Sequence, residues 1–198
     1  MTSGNLPDLI LRRAEPADFP AILRLQSANY VENLPPEERA QGFLSAEFTE
    51  EQIAAMAADL GIVVAVAPGG LAGYVCAFRN EFDHGSPVLA RMFECYDRAE
   101  LEGKLLRDYR TYVYGPVCVA REHRGSGVLR ALYEAQKRDL AGRFDVGVAF
   151  VARDNPHSLA AHRAGLGMAE VGGFEVGPRR YAILAFRLPA LAQSRPVS

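Results

Sequence analysis

Apolar residues recur along this chain with two different periods. Continuous or alternating apolar runs predict about seven strands, and apolar positions three or four residues apart predict helices between them. The strand-like runs are residues 9–11, 62–67, 71–78, 111–119, 145–151, 169–175 and 180–188. Helices are expected to begin at Pro16 or Asp18, at Thr49, just after Gly127 and at Asn155. This order predicts a mixed α/β (α+β) fold.

Local signals mark the ends of several elements. Thr49 is the expected N-cap of its helix because Gln52 stands three residues later, which is the spacing of a capping box. The segment 33–36, Asn-Leu-Pro-Pro, is expected to end the first helix, since proline cannot continue one. Pro68 and the two glycines after it predict the turn of a β-hairpin between residues 62–67 and 71–78.

A long connection, residues 81–110, separates this hairpin from the next strand. It begins with the polar residues Glu81, Asp83 and His84, and a helical run is expected from Met92 to Leu106. Long segments inserted over a scaffold often carry binding specificity. We therefore expect a substrate to be recognised here.

The strand at residues 111–119 is interrupted by Gly115 and Pro116. Proline cannot donate to a strand ladder, so in a central strand it indicates a bulge or a place where a neighbouring strand diverges. A helix connects this strand to the one at 145–151, which predicts that the two strands are parallel. Divergence between them would leave the backbone of Val117 and Val119 unpaired on one side, where an extended amide-containing ligand could bind.

A glycine-containing turn, Arg124-Gly-Ser-Gly127, joins that strand to an amphipathic helix. Glycines at a helix start let the backbone approach a ligand, and the free N–H groups favour an anion such as a pyrophosphate. The turn lacks the third glycine of the dinucleotide fingerprint and the Lys-Ser/Thr of a P-loop. Many such turns bind nothing, so the segment alone leaves a purely structural turn open.

Composition narrows the setting. The 198 residues are 49% hydrophobic, which suits one domain with a polar tail at 189–198, and the net charge of −2 predicts no nucleic-acid partner. Cys76, Cys95 and Cys118 have no disulfide or zinc-site spacing, so free thiols and no metal are expected. No signal peptide or membrane-length apolar run is present in the sequence, which predicts a cytoplasmic protein without a membrane partner.

The element order, together with Val117-x-Val119, the Arg124-Gly-Ser-Gly127 turn, the segment from Asn155 to His162 and Gly167-Met168, resembles the GNAT superfamily of acyl-CoA-dependent N-acyltransferases. The resemblance spans residues 9–188 and implies one domain over 1–198 with a mostly antiparallel central sheet, a splayed parallel pair and flanking helices. The chain departs from the family pattern at Leu129 in place of glycine or alanine, at His162 in place of tyrosine, and by one extra residue before Gly167.

The resemblance also implies a reaction, in which an amine attacks acetyl-CoA directly. The cofactor-binding residues implied are Val117, Val119, Arg124, Gly125, Ser126, Gly127, Val128, Leu129, Asn155 and Ser158, and the catalytic candidates are His162, as proton donor to the thiolate, and Tyr114. Glu81, Asp83, His84, Tyr112 and Tyr114 remain open as the base, as does water alone. The acceptor is a small-molecule or peptide amine, and exposed final strands would allow a homodimer. A noncatalytic acyl-CoA sensor and a partner-binding module are the alternatives.

Overall fold

The computed structural model describes residues 9–82 and 85–190. Its strands are β1 (Ile10–Arg13), β2 (Ile62–Ala67), β3 (Gly70–Phe78), β4 (Glu100–Leu101), β5 (Lys104–Leu105), β6 (Thr111–Val119), β7 (Val146–Ala152), β8 (Ala169–Val176) and β9 (Arg179–Arg187). The helices are α1 (Phe19–Ser27), α2 (Glu50–Asp59), α3 (Pro87–Phe93), α4 (Val128–Leu140) and α5 (Pro156–Ala160). Asp83, His84 and the tail residues 191–198 lie outside the described residues.

Seven of these strands form one mixed sheet in the order β1-β2-β3-β6-β7-β9-β8. Every neighbouring pair is antiparallel except β6 and β7, which are parallel and pair only over Thr111–Val113 and Val146–Val148. The expected fold class is confirmed, including the parallel pair created by the helix that connects its two strands. The β2–β3 hairpin is confirmed as well.

Helices cover both faces of the sheet and divide the core in two. On one face, α1, α2 and α3 bury side chains such as Ile22, Ile53 and Met92 against the sheet. On the other face, α4 buries Leu132 and Tyr133. Apolar positions at helical spacing in each helix, combined with strands that are buried on both sides, account for this three-layer packing.

Helix α2 begins as its sequence predicts. The Thr49 hydroxyl accepts a hydrogen bond from the Gln52 amide at 3.3 Å, and the Gln52 side-chain oxygen accepts one from the Thr49 amide at 3.0 Å. The two bonds satisfy amide groups that a helix start otherwise leaves without partners, so the predicted capping box is confirmed.

Helix α1 ends at Ser27, earlier than the prolines at 35 and 36 suggested, so that prediction was wrong. Two asparagines cause the early end. The Asn29 side-chain amide donates to the Leu25 carbonyl at 2.8 Å, and that of Asn33 donates to the Ser27 carbonyl at 2.9 Å. Such side-chain bonds to the backbone compete with helix continuation, and the chain then runs as an irregular connection to α2.

The long connection at 81–110 also differs from expectation. The helical run predicted from Met92 to Leu106 was wrong, because α3 stops at Phe93 and a short β4–β5 hairpin follows. Glu102 and Gly103 form its tip with φ of 54° and 76°, and a two-residue turn with both φ values positive is the turn that favours a hairpin.

The chain is irregular directly after α5, shortly before Gly167. The chain makes a π-type turn over Ala161–Gly165, wider than an α-helical turn. A single π turn inserts one residue without ending the helix, and such turns occur often at functional sites. His162 lies within this turn.

Candidate active site

The parallel strands β6 and β7 diverge after Val113, and their separation opens a cleft in the sheet. Opposite β3, one extra residue of β6 forms a bulge at Gly115 and Pro116. The Val119 carbonyl accepts from Arg124, whereas the next residue along the strand bonds to β3. Because backbone groups alternate sides along an antiparallel strand, the N–H groups of Val117 and Val119 also point into the cleft.

The glycine turn lies at the end of β6. Gly125 and Gly127 have φ of +76° and +92°, a region that disfavours side chains, and both are exposed. The Ser126 hydroxyl donates to the His123 carbonyl at 2.6 Å and so stabilises the turn itself. Helix α4 begins at the next residue, and the amides of its first turn have no acceptor within the helix. This arrangement suits a phosphate group.

Beside this turn is a cavity of about 430 Å³, which we call the glycine-turn cavity. Its lining contains no Asp or Glu among the described residues, and its basic side chains are His123, Arg124, Arg130, His157 and His162. Apolar groups such as Val117, Val119, Val128, Leu129 and Leu166 form much of the remaining surface. A long ligand with phosphates at one end and a less polar arm fits this distribution.

Eight of the ten residues predicted to bind cofactor line this cavity: Val117, Val119, Arg124, Gly125, Gly127, Val128, Leu129 and Ser158. Ser126 does not line it. Asn155 is 3% exposed and does not line it either. The Asn155 side chain donates to the Phe43 carbonyl at 2.8 Å and accepts from the Ser158 amide at 3.2 Å, so it caps α5 as predicted and ties that helix to the connection before α2.

Arg124 is half-buried and bonds to the protein rather than projecting freely into solvent. Its guanidinium donates to the Val119 carbonyl at 3.3 Å, to the Gln41 carbonyl at 3.1 Å and to the Asn29 side-chain oxygen at 2.6 Å. Those three acceptors come from β6 and from the connection between α1 and α2. Arg124 therefore holds two walls of the glycine-turn cavity together while its positive charge stays at the lining.

His162 is 6% exposed and lies in the π-type turn that follows α5. Its Nδ1 atom lies 2.7 Å from the Ser158 carbonyl oxygen, which can only accept, so Nδ1 carries a hydrogen. Burial lowers the pKa of His162 below its usual 6.5, while the Ser158 bond opposes that shift. The ring is thus neutral near pH 7, with Nε2 as a hydrogen-bond acceptor.

A second cavity, the inner chamber, adjoins the first and has a volume of about 90 Å³. Tyr114, Gly115 and Pro116 line it from β6. Five residues line both cavities and form their junction: Phe43, Leu44, Val117, Ser158 and His162. The two catalytic candidates predicted from sequence, Tyr114 and His162, are thus brought together, with ring centroids 5.9 Å apart.

Tyr114 has a buried hydroxyl without a hydrogen-bond partner among the described residues. Burial, with a smaller contribution from Tyr133, raises the pKa of Tyr114 well above its usual 10. The phenol therefore stays protonated, and Tyr114 can donate a hydrogen bond but cannot serve as a base.

The other base candidates are not brought to this junction. The Tyr112 hydroxyl donates to the Gln136 side chain at 3.2 Å beneath α4, and burial holds its pKa well above 10. Glu81 is exposed and lines neither cavity. Asp83 and His84 lie outside the described residues. His123 is half-buried and lines the glycine-turn cavity.

The wall opposite β6 could not be predicted from the sequence. Residues 41–44, from the connection before α2, line the glycine-turn cavity, and Asn29 completes the bonds to Arg124. No periodic pattern or turn signal marks these positions. Their role depends on contacts with residues about a hundred positions later, which local sequence does not reveal.

Comparison with known families identifies the fold. The model of the Acetyltransferase (GNAT) family matches residues 19–168, a span that includes the cleft, the glycine turn and His162. The chain belongs to this family. Acetyl-CoA is the cofactor of the family, as the resemblance implied, and the basic and apolar side chains that line the glycine-turn cavity are chemically compatible with its phosphates and its pantetheine arm.

Solved structures with the same fold support this assignment. The ribosomal-protein-S18-alanine N-acetyltransferase from Escherichia coli is 13% identical, with a TM-score of 0.60 over 94% of this chain and 98% of its own. The ribosomal-protein-alanine N-acetyltransferase from Brucella melitensis is 19% identical, with a TM-score of 0.60 over 90% and 99%. The yncA protein from Salmonella typhimurium, solved with its cofactor acetyl-CoA, is 17% identical, with a TM-score of 0.56 over 96% and 99%.

At these identities the likeness shows the fold alone. No curated protein matches the chain. Within residues 9–82 and 85–190, no helix combines the length and the apolar character needed to cross a membrane.

Proposed function

We propose that this GNAT-family chain transfers an acetyl group from acetyl-CoA to the amine of a small molecule or peptide. The observation that carries the proposal is the junction of two cavities at Val117 and His162. One cavity offers an anion-binding turn and the other a separate approach to the same point. A two-substrate transfer needs this arrangement, since both reactants must meet within a few ångströms.

The glycine turn and its helix start would hold the pyrophosphate through backbone amides, as the family resemblance implies. Val117 and Val119 present outward-facing backbone groups along the path from this turn to the junction. These groups are suited to bond the amides of an extended pantetheine arm, much as an added strand would. The Val119 N–H is also suited to stabilise negative charge on the thioester oxygen.

Proton movement is assigned to His162 and Tyr114. The amine nitrogen forms a bond to the carbonyl carbon, the carbon–sulfur bond breaks, and one proton must leave the nitrogen while the thiolate gains one. His162 Nε2 accepts the proton from the amine, because Nδ1 already donates to Ser158. The imidazolium so formed then becomes the donor to the thiolate, which reconciles a neutral histidine with the acid role. Tyr114 donates a hydrogen bond at the same junction.

Cofactor binding is tested by titrating the protein with acetyl-CoA and following its melting temperature. Wild type should be stabilised, because a ligand that binds only the folded state raises that temperature. Gly127→Trp should abolish the shift by filling the space above the turn. Gly177→Trp is the matched control, since Gly177 also has a positive φ, of 56°, but lies in the β8–β9 turn and lines neither cavity. An equal shift in wild type and Gly127→Trp would contradict the site.

Transfer is tested by thiol release from acetyl-CoA in the presence of amines. Turnover with at least one amine supports the enzyme. Binding without turnover across a broad panel would favour a noncatalytic acyl-CoA sensor, and absence of binding would favour a partner-binding module. Several properties remain predictions. A single domain can be checked by limited proteolysis, a cytoplasmic location and the lack of membrane partners by fractionation, and a homodimer and the lack of nucleic-acid partners by sedimentation.

A further inference from the structure

Most of the side chains that line the inner chamber are apolar. Four phenylalanines line it, Phe43, Phe48, Phe78 and Phe150, together with aliphatic side chains that include Leu89, Val113 and Val151. Among the described residues no Asp, Glu, Lys or Arg contributes to the lining. The carboxylate nearest in sequence is that of Glu47, and Glu47 does not line the chamber, although its neighbours Ala46 and Phe48 do.

The few polar groups in these walls are already engaged or uncharged. Both ends of the Asn155 amide bond to the protein, and Nδ1 of His162 donates to Ser158. His162 and Tyr114 are both neutral near pH 7, for the reasons given above. A group that enters the chamber therefore finds hydrogen-bond partners near the junction and none with a full negative charge.

This chemistry restricts the body of an acceptor more than its reacting nitrogen. The attacking amine must be neutral, and it lies at the junction, where His162 Nε2 can accept its proton. A second ammonium on the same molecule would be carried into the chamber, lose its hydration and meet no counter-ion. Cation–π attraction to the faces of the phenylalanine rings would offset only part of the free energy lost on dehydration.

Either the acceptor or a long acyl chain could occupy the inner chamber, and the position of the chamber beside the glycine-turn cavity favours the acceptor. The glycine-turn cavity is occupied by the cofactor in the proposed reaction, so an amine needs another route to the junction. The inner chamber is the neighbouring cavity that shares Val117 and His162 with it. An acyl chain that filled the chamber would close this route. The volume of about 90 Å³ suits a compact group.

We propose that the inner chamber is the acceptor site and that it selects amines with a single amino group on a compact apolar body, against diamines, polyamines and amino sugars. This inference rests on the proposed acetyl transfer. The inference narrows the acceptor from any amine to an amine that carries no second charged group.

The test compares two amines that differ at one end only, n-pentylamine and 1,5-diaminopentane. Thiol release is measured for each at saturating acetyl-CoA, and kcat/KM should be at least tenfold higher for pentylamine. Equal values, or a preference for the diamine, would overturn the inference. So would turnover of neither amine by a protein that acetyl-CoA stabilises. A preference for hexanoyl-CoA over acetyl-CoA would overturn it as well, because the chamber would then hold the acyl chain.

A charge placed in the wall provides the second arm. Ser45 lines the chamber and is half-buried, so Ser45→Asp adds a carboxylate near the rim, and Ser45→Asn adds a side chain of similar shape without charge. Ser45→Asp should shift the ratio of kcat/KM values at least tenfold toward the diamine, and Ser45→Asn should leave it close to wild type. An unchanged ratio in a folded Ser45→Asp protein would place the acceptor elsewhere.

The two proposals fail in different ways. If acetyl-CoA does not raise the melting temperature of wild type, the proposed function fails and the amine comparison has no basis. If acetyl-CoA stabilises wild type, Ser45→Asp and Ser45→Asn, and both amines are acetylated with equal kcat/KM, the transfer function stands and the acceptor assignment is wrong.

Discussion

The guanidinium of Arg124 donates to the side-chain oxygen of Asn29, 2.6 Å away and 95 residues earlier in the chain. The same guanidinium bonds to the backbone of Gln41 and of Val119. Arginine is suited to this role because its planar group offers several donors in fixed directions. The residue that the family pattern associates with the cofactor thus also positions the wall that faces the cofactor.

Removal of the Asn29 side chain should therefore weaken acetyl-CoA binding, because it releases Arg124 and also changes the lining of the glycine-turn cavity. Asn29→Ala takes away one acceptor from a half-buried arginine and should cost about 1–3 kcal/mol of folding free energy. We also expect a several-fold loss of acetyl-CoA affinity by calorimetry. Asn33→Ala is the control, because Asn33 bonds to Ser27 in the same connection and not to Arg124. Equal affinity in both variants would indicate that Arg124 acts only by direct contact.

The sequence predicted those parts of the site whose backbone conformation is determined by neighbouring residues in the chain. Two glycines with positive φ, a capping asparagine before proline and a proline in a central strand each require a particular backbone, so their positions were readable. The bond of Arg124 to Asn29 could not be predicted, because the two residues are 95 positions apart in the sequence. The inner chamber was equally hidden, since its phenylalanines come from three separate segments that only the fold brings together.

Tyr114→Phe separates catalysis from stability. The Tyr114 hydroxyl is buried without a partner among the described residues, so its removal should change the free energy of unfolding by less than about 0.5 kcal/mol or raise it. If the hydroxyl donates in the reaction, turnover should fall by about tenfold or more. Tyr133→Phe is the control, because its ring lies 5.9 Å from that of Tyr114 and lines neither cavity. Unchanged turnover in Tyr114→Phe would remove it from the mechanism.

Thr49→Ala tests whether stability and binding can be separated elsewhere in the fold. The substitution breaks the capping box of α2 and should lower the free energy of unfolding by about 1 kcal/mol, measured by urea denaturation. Thr49 lines neither cavity, so the acetyl-CoA affinity should stay at the wild-type value. Thr49→Ser retains the hydroxyl and should recover most of the loss. A parallel drop in affinity would show that α2 is coupled to the site.

The most specific expectation concerns pH and His162. Its folded pKa lies below 6.5, so between that value and 6.5 the unfolded chain binds more protons than the folded one. Stability should then be full above pH 6.5 and fall as the pH drops through this window, with a slope of at most about 1.4 kcal/mol per pH unit. The dependence is measured by urea denaturation at several pH values. His162→Gln should lose it, whereas the exposed His157→Gln should retain it.

The pH dependence of kcat should also report the protonation of His162, as a decline on the acid side. Nε2 can accept a proton from the amine only while the ring is neutral, so kcat should decline below pH 6.5 and not above it. In His162→Gln this acid limb should disappear and the remaining rate should be low at every pH. A limb that persists in His162→Gln would assign the proton transfer to another group. A variant that keeps wild-type turnover throughout would leave His162 as a buried packing residue, and the junction of the two cavities would then work through backbone and water alone.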